Sequence, residues 1–156
     1  MSILNQKNIN PSFLASPFYN LAVKNSTSGT QIKMSLSTNY FHTNYLPKTS
    51  GLLEKLLPEV LETKCFNDMN LPFNEEVKNT EIGHLFEHIL LEYMCQMKIR
   101  DGHQKATFKG LTNWNWKRDP RGTFHITIGT KPADIIYFEF ALEKSIELLN
   151  KILARN

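Results

Sequence analysis

Thr80 to Met97 reads TEIGHLFEHILLEYMCQM, and the spacing of its apolar residues decides the class of fold. Ile82, Leu85, Phe86, Ile89, Leu90, Tyr93, Met94 and Met97 recur at intervals of three and four, the period of a helix packed on a core. Asn79 or Thr80 is expected to cap this helix, and Glu81 sits favourably at the positive end of its dipole. Arg100, Asp101 and Gly102 are expected to end it. Upstream, Ser50 to Thr63 (SGLLEKLLPEVLET) repeats leucine and valine at helical spacing. Ser50 is the expected N-cap of a helix over 51–64, and Pro58 predicts two short helices or a kink.

Strand signals flank this helical centre. Gln31 to Thr38 (QIKMSLST) alternates Ile32, Met34 and Leu36 with polar neighbours, the period-two pattern of a half-buried strand. Phe18 to Val23 predicts a short strand before it, and Asn25 to Thr30 (NSTSGT) a turn or loop. Tyr40 to Ser50 and Cys65 to Val77 read as connectors. Downstream, Ala106 to Trp116 and Thr123 to Gly129 predict two strands joined by a turn around Pro120. A helix from about Ala133 to Ala154 closes the chain. Strands, helices, a strand pair and a helix in that order predict an α+β domain, with a mainly antiparallel sheet and helices on one face.

The chain has 156 residues, 41% hydrophobic and 21% charged, which suits a single domain with its own core. Eighteen basic and fifteen acidic residues leave a formal charge of +3, too near neutrality to argue for nucleic acid. No apolar run reaches the ~18 residues that a membrane span requires. The N-terminus lacks a signal-peptide pattern. Two cysteines, Cys65 and Cys95, make no disulfide framework, so a reduced, cytoplasmic setting is expected.

The chemistry sits on the central helix. In GHLFEH, Gly83 to His88, the histidines His84 and His88 are four residues apart and share one helix face. Two imidazoles so placed converge on one Zn²⁺ at about 2.0–2.1 Å. Glu87 beside them suits a proton-transferring carboxylate, and the whole is the inverted zinc-hydrolase pattern H-x-x-E-H. Two histidines and a glutamate that only hydrogen-bond to loops or solvent are the plain alternative. A catalytic zinc takes a third protein ligand. Glu92 continues the row, but lies about 12 Å along the helix from His84, so it is expected to orient a histidine ring from behind. Glu139 is the first candidate third ligand, with Glu143, His103 and His125 after it. Glu139, Glu143 and Glu147 also read as a plain solvated helix face.

Ser50–Thr63, Thr80–Met94 (TEIGHLFEHILLEYM) and Gly122–Ile128 (GTFHITI), followed by a closing helix, together resemble the N-terminal domain of cyanophycin synthetases. In the full-length family this domain precedes an ATP-grasp domain and a Mur-ligase-like domain, which build a poly-aspartate chain bearing arginine. A chain of 156 residues without a glycine-rich phosphate loop is expected to hold neither. Some family members carry in this domain a zinc-peptidase-like site that cuts polymer into primers. The resemblance implies that His84 and His88 are metal ligands, Glu87 the base and Glu92 the matching helix acid. Asp101–Arg121 departs from the family pattern, being longer and lacking its arginine-rich stretch, which leaves the substrate open.

That segment interleaves aromatic and basic residues, among them Trp114, Trp116, Arg118 and Arg121. Trp114, Arg118 and Arg121 are expected to guide a polymer toward the helix; the plain reading is a hairpin with a solvated tip. The expectation is thus a zinc-dependent hydrolase of peptide or amide bonds, its substrate a peptide or a cyanophycin-like aspartate–arginine polymer. The alternative is a non-catalytic module that binds a polymer or a partner synthetase. No nucleic-acid or membrane partner is expected, and a homo-oligomer is left open.

Overall fold

A computed structural model describes residues 12–63, 71–104 and 106–156. Five strands form one antiparallel sheet: β1 Ser12–Ala15, β2 Tyr19–Ser26, β3 Gly29–Leu36, β4 Gly110–Asn113 and β5 Thr123–Ile128. Their spatial order is β1-β2-β3-β5-β4. The helices are α1 Thr49–Leu56, the single turn α2 Phe73–Glu76, α3 Ile82–Arg100 and α4 Ile135–Arg155, with a 3₁₀ segment over Pro58–Glu62. The expected α+β architecture is what forms. Among the described residues no helix is long and apolar enough to cross a membrane.

Alternation builds the sheet. Tyr19, Leu21 and Val23 of β2, Ile32, Met34 and Leu36 of β3, and Phe124, Ile126 and Ile128 of β5 are all buried. Their neighbours Asn20, Lys24, Gln31, Lys33, His125 and Thr127 face water on the other side. α3 and α4 cover the buried face. In α4 the stripe Phe138, Ala141, Leu142, Ser145, Leu148, Leu149 and Ile152 packs inward, and Glu139, Glu143 and Glu147 stay exposed.

Several local expectations change under tertiary packing. The turn or loop expected over 25–30 is a turn, shortened to two residues because β2 and β3 pair as far as Ser26 opposite Gly29. β1 was not legible in the sequence. Pro58 does break the first helix, but Ser50 lies inside α1 and the N-cap is Lys48. Likewise, neither Asn79 nor Thr80 caps α3: Glu81 takes that place without a side-chain cap, and the Thr80 hydroxyl is engaged by His84 instead. Of Ala106–Trp116 only Gly110–Asn113 pairs as strand. The connector expected over 65–77 contains α2; its residues 65–70 lie outside the described residues.

Gly83 shows how tightly α3 meets the sheet. A Cβ there would overlap the Phe124 ring. Gly83→Ala would gain about 1 kcal/mol of helix propensity but overpack the core by about 1–3 kcal/mol. A lower urea midpoint with unchanged circular dichroism is the expected result.

Candidate functional site

The first two turns of α3 are buried on nearly every side, so its polar residues lie inside the protein. His84 and His88 stand one turn apart with their Nε2 atoms 3.1 Å from each other. Their rings meet edge to face, with centroids 4.6 Å apart. Phe73 of α2 stacks flat on His88, centroid to centroid at 3.9 Å. These contacts lock both rings.

Threonine hydroxyls hold both rings from behind. Thr63 Oγ1 donates its one proton to the Val60 carbonyl at 2.7 Å. It can therefore only accept from His88 Nδ1, 3.4 Å away. Thr80 Oγ1 lies 2.8 Å from His84 Nδ1 and 3.3 Å from Glu81 Oε1. With each Nδ1 beside a threonine hydroxyl, the two Nε2 atoms are left facing each other. At 3.1 Å the two Nε2 atoms can share a proton in a hydrogen bond or hold a cation between them. His88 is also kept from charging: burial, and then the charge of His84, push its pKa down from 6.5 to about 3.

That depression has a measurable consequence. Over the interval from about 6.5 down to about 3 the unfolded chain takes a proton at His88 and the folded one does not, so acid favours unfolding. Glu87 acts in the opposite sense, because its folded pKa is raised. The contribution of His88 is therefore read as a difference. In metal-free protein the stability of wild type should fall more steeply on acidification than that of His88→Phe, which keeps a ring against Phe73. Equal slopes in urea titrations would contradict the depressed pKa.

Glu87 turns from α3 toward the edge of the sheet. Thr112 Oγ1 of β4 donates to Glu87 Oε1 at 2.6 Å. Gly110 lets the strand come this close, since a Cβ there would lie 2.9 Å from Glu87 Oε2. Burial raises the Glu87 pKa, against the lowering by the Thr112 hydrogen bond and the charge of His84. Glu76 of α2, also buried, brings Oε1 to 3.9 Å from His84 Nδ1. Around these groups opens a cleft of about 890 Å³, lined along α3 by His84, Glu87, His88, Leu91, Glu92 and Cys95.

The other expected site residues are placed as follows. Glu139 is exposed on α4 and does not line the cleft, so it is not brought to the histidines. Glu143 and His103 are exposed as well, and His125 pairs with Asp119 at 2.9 Å on the open face of the sheet. Glu92 lines the cleft, but its pKa is raised by burial and by Glu59 and Glu62, and its hydrogen bond is to Gln96. Thr63 and Thr80 orient the rings in its stead. Trp114 borders the cleft, whereas Arg121 lies over Phe41 and Trp116 beside a separate shallow depression. Arg118 is exposed and lines neither.

Zinc fits the pair in part. Two Zn–N bonds of about 2.0–2.1 Å can meet across the 3.1 Å gap between the two Nε2 atoms. Among the described residues, however, no third His, Cys, Asp or Glu is grouped with them. Thr63, Phe73, Glu76, Gly110 and Thr112 were not picked out from sequence as parts of the site. Thr80 was, but as a cap; its place four residues before His84 was the available signal.

Fold and site together define a single α+β domain whose central helix presents a histidine pair and a buried glutamate to a cleft at the sheet edge. The family model of the cyanophycin synthase-like N-terminal domain matches residues 31–112, just over half of the chain, and the chain belongs to that family. The matched segment runs from β3 through α3 to Thr112, and so contains the histidines, Glu87 and its partner on β4. Comparisons with curated proteins and with solved structures returned no match.

Proposed function

We propose that this domain is a zinc-dependent hydrolase of peptide or amide bonds that acts on a cyanophycin-like aspartate–arginine polymer. The observation that supports it most is the facing pair of Nε2 atoms at 3.1 Å, an arrangement that can hold a cation. His84 and His88 would hold the ion, and Thr80 and Thr63 orient their rings from behind. Zinc in such a site supplies polarisation of a carbonyl oxygen and a lowered pKa for water.

The chain's own carboxylate handles the proton. Glu87 Oε1 is held by Thr112, which leaves Oε2 to take a proton from the attacking water and return it to the leaving amine. Burial brings the affinity of that carboxylate for a proton toward what such a shuttle needs. Phe73 and the apolar face of α3 keep bulk water from the rings.

The test is zinc content together with chelator-sensitive cleavage of an aspartate–arginine polymer. The absence of a third ligand grouped with the pair among the described residues favours a second reading, a module that binds polymer or a partner synthetase without cutting it. Polymer binding without cleavage by zinc-loaded protein would select that reading.

A further inference from the structure

Among the described residues β4 is one of the two edge strands of the sheet and pairs with β5 on one side only. Gly129 N–H donates to the Lys109 carbonyl at 2.8 Å. The same register sets Leu111 opposite Thr127 and Asn113 opposite His125. Because hydrogen-bonded and non-hydrogen-bonded pairs alternate along an antiparallel ladder, Lys109, Leu111 and Asn113 turn their N–H and C=O groups toward β5. Gly110 and Thr112 turn theirs to the open edge. Such an edge is a template for another strand.

The cleft runs along this edge. One wall is the consecutive run 106–112, and the other is the α3 stripe from His84 to Cys95. Eleven helical rises span about 16 Å, the length of about five extended residues. The space between the walls accepts extended chain of about that length. Charge selects the kind of chain: Glu76, Glu81, Glu87 and Glu92 line the cleft, and among its described lining residues Lys109 is the one lysine or arginine. Glu59 and Glu62 add to the negative field at Glu92.

We infer that the cleft takes its ligand as an extended peptide strand added to β4, main chain paired with Gly110 and Thr112, basic side chains turned to the acidic wall. Strand addition draws affinity from main-chain hydrogen bonds and selectivity from side-chain pockets. The inference builds on the hydrolytic reading, in that an added strand carries its carbonyls past His84 and His88, but the binding itself requires no metal.

The probe is an acetylated, amidated hexapeptide of alternating arginine and alanine, titrated against the full chain with chelator present so that no cleavage intervenes. N-methylation at alternate positions of the probe should weaken binding about fivefold or more, and at intervening positions should change it little, as expected for main-chain hydrogen bonds of ordinary strength. Amide exchange should slow at Gly110 and Thr112 and stay unchanged at Leu111 and Asn113. A glutamate-for-arginine probe should bind at least tenfold more weakly. No binding, an effect of N-methylation without alternation, or protection away from β4 would overturn strand addition; equal affinity for the acidic probe would overturn the charge assignment. Zinc content and cleavage are measured separately without chelator. Alternation without cleavage would leave the groove standing and sink the hydrolase, and cleavage without alternation would do the reverse.

Discussion

His84→Ala and His88→Ala should each carry less than a tenth of the zinc found in wild-type protein after purification, with far-UV circular dichroism preserved. Each substitution removes one of the two facing nitrogens, and among the described residues no third donor is grouped with them. The fold should survive because α3 keeps Ile82, Leu85, Phe86, Ile89, Leu90 and Met94 in the core. The two variants differ in their cost. His88 stacks flat on Phe73, so His88→Ala should also lower stability by about 2–4 kcal/mol, in the range of buried large-to-small changes. The more accessible His84 should cost less. Zinc bound equally by wild type and both variants, measured by elemental analysis, would remove the metal site and with it the hydrolytic proposal.

Glu87→Gln should retain zinc and lose at least about 100-fold in the rate of polymer cleavage, the low end of what general acid–base help contributes. The amide keeps the shape and can still accept the Thr112 hydroxyl, so the strand should stay in place. What disappears is the basic oxygen. The pH profile carries an independent signature: burial raises the Glu87 pKa above 4.5, so the acid limb of the wild-type profile should lie above that value and vanish from the residual activity of the variant. Thr112→Val makes a useful companion. Removing the hydroxyl takes away an interaction that lowers the Glu87 pKa, and the acid limb should move further up. A Glu87→Gln protein as active as wild type would place the proton transfer on another group.

The helical and strand periods of this chain are readable because they are local. The spacing of Ile82 to Met97 and the alternation of Ile32, Met34 and Leu36 each lie within one run of sequence, and Pro58 interrupts its helix whatever surrounds it. The same holds for His84, Glu87 and His88: a spacing of four on a helix sets two side chains on one face by backbone geometry alone. Caps were less legible. Thr80 has the chemistry of a cap, but a buried imidazole one turn later competes for its hydroxyl, and that competition depends on how α3 is packed.

What the linear pattern determined, then, is the α+β class, the family and the two histidines with their glutamate on one helix. Tertiary structure decided everything that comes to meet them from a distance: Thr63 and Phe73 against His88, Glu76 near His84, Thr112 and Gly110 at Glu87, and a free strand edge along the cleft. It also left Glu139 in solvent, because the apolar stripe of α4 must face the core and carries the glutamate row outward with it. Spacing within one helix is a property of neighbouring residues. Convergence of separate elements on one cleft follows from burying their apolar faces together, and no short stretch of sequence contains that information.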